Sequence, residues 1–94
     1  MEQKFIVAWA QAREKAATLG VRMRPIAPGE EMKQAHRCLS GHRVSDGFDS
    51  LADLGRLELS LEAIAVKKQF TFLFSDEEAN NALQRLLDAG YNFH

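Results

Sequence analysis

The chain has 94 residues, 46% of them apolar and 27% charged, with 12 Lys and Arg against 13 Asp and Glu and a formal net charge of −1. This composition excludes a disordered chain, which needs low hydrophobicity and high net charge, and the length excludes a second full domain. One globular domain over residues 1–94, with a modest core, is the expectation.

Residues 2–19 read as a helix. Phe5, Trp9, Ala12, Ala16 and Leu19 recur at helical spacing, and Gly20 stands where a left-handed residue commonly ends a helix. Residues 21–28 read as extended, because Val21 and Met23 alternate with Arg22 and Arg24, and Pro25 biases Arg24 away from the helical region. Residues 29–40 read as a second helix. Glu30 and Glu31 occupy its first turn, where the helix dipole favours anions, Met32, Ala35 and Leu39 form its stripe, and Gly41 stops it.

Ser45 or Asp46 is placed to cap a third helix, in which Phe48, Leu51, Leu54, Leu57, Leu61 and Ile64 are spaced by 3, 3, 3, 4 and 3. The segment 46–67 is one helix, or two divided at Gly55 or Ser60. Phe70, Phe72 and Phe74 alternate with Gln69, Thr71 and Leu73 as in a strand, in a run short enough to be a helical connector. Ser75 and Glu78 form the capping box of a helix over 76–89. Ala79, Leu83, Leu86 and Leu87 supply its apolar face, Gly90 its stop, and Tyr91 folds back onto Leu86. The expected fold is mostly α, a small bundle of four to five helices, with a minor two- or three-stranded sheet from 21–26, 69–74 and 91–93 left open.

No basic start, apolar run and small-residue cleavage site opens the chain, and no apolar stretch approaches the roughly 18 residues of a membrane helix. Cys38 is the single cysteine and has no intramolecular disulfide partner. A cytoplasmic, reducing setting without a membrane is expected.

Chemistry-bearing motifs are sparse. His36, Cys38 and His42 form H-x-C-x3-H, a ligand set that zinc would accept with His94 or a carboxylate as a fourth. On a helix, however, His36 and Cys38 lie about 200° apart around the axis. The competing expectation is a half-buried thiol between two solvated histidines. Cys38 or Ser40 beside a histidine makes no nucleophile on sequence nearness alone. Neither G-x-S-x-G, a P-loop nor G-x-G-x-x-G occurs. Asp46, Asp49 and Asp53 read as a solvated face. No catalytic group, cofactor or metal is expected.

Charge is unevenly placed. Arg22, Arg24, Lys33, Arg37 and Arg43 face only Glu30 and Glu31 within 22–43, a local net of +3, while residues 44–66 carry −4. The five basic residues are a candidate docking patch for a charged partner. A winged-helix layout over 60–93 is the nucleic-acid alternative, but Asp76, Glu77 and Glu78 would present the wrong sign to phosphates. The third possibility is the zinc or thiol site. The expected function is a small non-catalytic protein-interaction or regulatory domain: an adaptor, an inhibitor or a homodimeric module. The segment 48–74 is expected to encode more apolar surface than one protomer can conceal, with Phe48, Leu51, Leu59, Phe70, Phe72 and Tyr91 as interface candidates.

Overall fold

A computed structural model describes residues 2–91. Five α-helices follow one another: α1 (Glu2–Thr18), α2 (Glu31–Ser40), α3 (Phe48–Asp53), α4 (Leu61–Ala65) and α5 (Asp76–Asp88). Single 3₁₀ turns at Leu57–Leu59 and Thr71–Leu73 join the later ones. Among the described residues there is no β-strand. The extended segment after α1 and the 69–74 run pair with nothing, and residues 92–93 of the possible third strand lie outside the described residues. The described residues have a radius of gyration of 12.0 Å, close to the ~12 Å expected of one unit this long.

The helix ends follow local chemistry. Ser75 Oγ accepts the Glu78 N–H, while the Glu78 carboxylate accepts the Ser75 N–H at 2.8 Å, completing the capping box. The N–H groups of Gly90 and Tyr91 return to the carbonyls of Leu87 and Leu86 in a Schellman stop, and α1 ends the same way at Gly20 and Val21. Ser45 and Asp46 do not cap α3. Gly47 does, at φ 79°, and a Cβ there would lie 2.8 Å from Met23 Cε and 3.0 Å from Val21 Cγ1. The position therefore demands glycine twice, for its left-handed backbone and for the close approach of the 21–24 segment.

The segment 46–67 breaks at both candidate points. Gly55 closes α3, and Ser60, accepting the Ala63 N–H, opens α4. This break removes the surplus of apolar surface expected there. One straight helix shows one side to the core, whereas three short pieces turn Leu57, Leu59, Leu61 and Ile64 inward together, and every residue of α4 is buried. Phe48, Leu51, Leu59 and Phe70 are likewise buried within a single protomer, so as exposed interface residues they are corrected to core. Tyr91 is half-buried against that core, and Phe72, 63% exposed, alone of the six stays open to solvent.

The phenylalanine alternation has a helical explanation. Phe70 and Phe74 flank the 3₁₀ turn and both meet Phe5 edge-on, with centroids 5.5 and 5.2 Å away, while Phe72 between them points out. Phe5, fully buried, also contacts Trp9, so α1 is fastened to the chain before α5 through aromatic rings.

Candidate functional site

The inner face of α5 departs from the expected apolar stripe. Leu87 is 57% exposed, and the buried Glu78, Ala82 and Leu86 are flanked by the expected Ala79 and Leu83 and also by the part-buried Asn81 and Arg85. These polar groups form a seam to α2 and α4. Asn81 donates to the Leu39 carbonyl, and Arg85 donates to the carbonyls of Cys38 and Gly41 and to the Glu62 carboxylate at 3.3 Å. Glu62 is fully buried and also accepts the N–H and the hydroxyl of Ser45. His36 Nδ1 lies 2.8 Å from Glu78. Burial pushes the Glu78 carboxyl upward, but the Ser75 N–H and the His36 ring outweigh it and hold it below the ordinary glutamate range. The seam satisfies its own members and offers nothing to a ligand.

A cleft of about 440 Å³ opens on the other side of α2, within the roughly 300–1,000 Å³ span of ligand sites. Trp9 and Arg13, one turn apart on α1, form one wall, and Gln34 and Cys38, one turn apart on α2, form another. Residues 23–26 and 43–46 and the buried Leu61 complete its lining. The Asp46 carboxylate accepts the Arg24 N–H at 2.6 Å, tying these two segments together, and the Ser45–Glu62 bonds anchor the second from beneath. The 43–46 wall is thus held by the buried acid of the seam.

Three arginines line this cleft, Arg13, Arg24 and Arg43. Arg13 lies over the Trp9 ring, its Cζ 5.1 Å from the centroid, and its buried Nε has no hydrogen-bond partner among the described residues. Among the described residues none of the three forms an ion pair, whereas Arg56 pairs with Glu58 and Arg85 with Glu62. Of the expected basic patch, Arg24 and Arg43 come together here, while Arg22, Lys33 and Arg37 are exposed without lining the cleft. Arg13 is the member that sequence reasoning missed. Its signal was the spacing of four from Trp9, which stacks cation on ring along a helix.

The acidic half is largely spent internally: Glu62 is in the seam, Glu58 on Arg56, and Asp46 on a backbone N–H. Asp49 and Asp53 remain exposed on α3. The H-x-C-x3-H residues diverge: His36 turns to Glu78, Cys38 lines the cleft, and His42 is exposed. Among the described residues no three His, Cys, Asp or Glu side chains gather as a metal site, and the fourth ligand expected for zinc, His94, lies outside them. Burial, reinforced by the Glu62 charge, pushes the Cys38 thiol above its ordinary value despite the opposing Arg85. It is a poor source of thiolate. Arg85, the single basic residue of α5, faces inward, so this helix presents no cation to a DNA groove.

Comparison with known protein families, with curated proteins and with solved structures finds no match. No helix among the described residues is long and apolar enough to cross a membrane.

Proposed function

We propose that this chain is a small non-catalytic docking module that works by binding another protein, with the cleft between α1, α2 and the 43–46 loop as its docking surface. The observation that carries this reading is the set of three arginines lining one preformed opening with no carboxylate partner among the described residues. Arginine is enriched at interface centres because it combines a planar donor fork with an apolar stem. Asp46 and Cys38, which line the same cleft, fit binding better than catalysis: Asp46 is tied to a backbone N–H, and burial pushes the Cys38 thiol above its ordinary value. An adaptor or inhibitor in a cytoplasmic setting fits these features.

The test is affinity capture from host lysate with the wild-type chain, with Arg24→Glu/Arg43→Glu, and with Lys33→Glu/Arg37→Glu as a charge-matched control. The wild type and the control should retain the same partner and the cleft variant should lose it. Equal capture by all three would remove the cleft from the function. Light scattering on the wild type separates docking on another protein from self-association.

A further inference from the structure

We infer that the ligand of the cleft is a short acidic peptide segment, one that sets an aliphatic side chain on the apolar floor and its carboxylates against Arg13, Arg24 and Arg43. The inference rests on the docking reading above and names the chemistry of the partner.

Three features select this ligand. The first is charge: among the described residues the cleft is lined by three arginines and one carboxylate, Asp46, a local net of +2, and Asp46 accepts a backbone N–H without an ion pair to any of the three. Carboxylates match the guanidinium fork with two parallel hydrogen bonds, so Asp and Glu side chains are the natural complement. The second is the floor. Met23 and Ile26 are half-buried, beside Leu61 and Pro25, and the flexible Met23 adapts to a branched side chain. The third decides between peptide and nucleic acid. Single-stranded nucleic acid binds by stacking bases on open aromatic faces along a basic track. Trp9, the single tryptophan, is 7% exposed and one face of its ring is covered by Arg13. The chain as a whole carries a net −1, without the basic excess such a track requires.

The same arrangement supplies the reporter, because any ligand that seats on Arg13 perturbs the Trp9 environment. The experiment is selection from a random linear peptide display library on the immobilised full chain. Synthetic copies of the enriched peptides are then titrated while Trp9 fluorescence is followed. The expected peptides pair Asp or Glu with an aliphatic residue and shift Trp9 emission. Arg24→Ala/Arg43→Ala should weaken them by about tenfold or more, with fold retention checked by circular dichroism. Replacing their acids by Lys should abolish binding to the wild type and restore part of it to Arg24→Glu/Arg43→Glu.

Enriched peptides that shift Trp9 without an acidic bias would overturn the ligand assignment and leave the docking surface standing. Failure to enrich any peptide, or enrichment of peptides that bind the charge-reversed variant equally and leave Trp9 unchanged, would overturn the docking reading itself. An oligothymidylate that displaces the acidic peptides at lower concentration than the peptides themselves would reassign the site to nucleic acid.

Discussion

Arg85 and Arg13 are both arginines held partly inside the molecule, and they are treated in opposite ways. Arg85 lies in the seam between α2, α4 and α5, where one carboxylate and two carbonyls accept its N–H groups. Arg13 lies at the cleft, stacked on Trp9, with its Nε unpartnered. A buried cation with all its partners is a structural member, since removing any partner strands the rest. A cation held by stacking alone keeps its charge available to something outside the chain. The two regions meet at Ser45 and Glu62, so the seam that spends its charge internally also holds the cleft in shape.

The largest effect should come from Glu62→Ala, which strands Arg85 and the Ser45 N–H. A loss of about 3–5 kcal/mol in urea unfolding is expected, and a loss under about 1 kcal/mol would mean that water replaces the seam without penalty. Next is Gly47→Ala, with about 1–2 kcal/mol from the left-handed backbone alone. Its Cβ would also displace Met23, so peptide binding at the cleft should weaken in the same variant.

Ser75→Ala removes one half of the capping box and should cost about 1 kcal/mol. Glu78→Gln tests the same corner by pH. The folded pKa of Glu78 lies below its unfolded value, so its carboxylate adds stability above the ordinary glutamate range, and that stability is lost as pH falls through the folded pKa. The gap in urea midpoint between wild type and Glu78→Gln should therefore be widest near neutrality and close on acidification. A gap independent of pH would show that Ser75 and His36 do not hold the charge.

The smallest stability change, and the sharpest contrast with Glu62→Ala, is expected of Arg13→Met. No hydrogen bond is lost, the methionine still covers the Trp9 ring and the orphaned donor disappears, so stability should stay within about 0.5 kcal/mol of wild type or rise. Acidic-peptide affinity should fall. A large destabilisation would make Arg13 a structural residue like Arg85.

Elements with a strong local code were legible before any coordinates. The Ser75–Glu78 box, the glycine stops at 20 and 90 and the α1 stripe of Phe5, Trp9, Ala12 and Ala16 all lie where spacing and capping place them. The phase of α5 was legible in part. Of the stripe Ala79, Leu83, Leu86 and Leu87, only Leu87 is exposed, but burial extends to Glu78, Asn81 and Arg85 as well, because α2 and α4 present carbonyls and a carboxylate there. Hydrophobic periodicity cannot register a polar face whose partners lie 23 or more positions away. The cleft was half legible: Arg24 and Arg43 belong to a basic stretch visible in the sequence, but Arg13 joins them only because α1 packs beside the 43–46 loop.

What the amino-acid order determined alone is the local conformation: where helices start and stop, that the chain is mostly α, and that its charge is divided. Those are interactions within a turn or two of backbone, set by capping, dipole and steric preference. Tertiary structure decided which charges are spent and which are left over. Ion pairing and burial depend on distances between segments remote in sequence, so only packing could give Arg85 a carboxylate and leave Arg13, Arg24 and Arg43 without one.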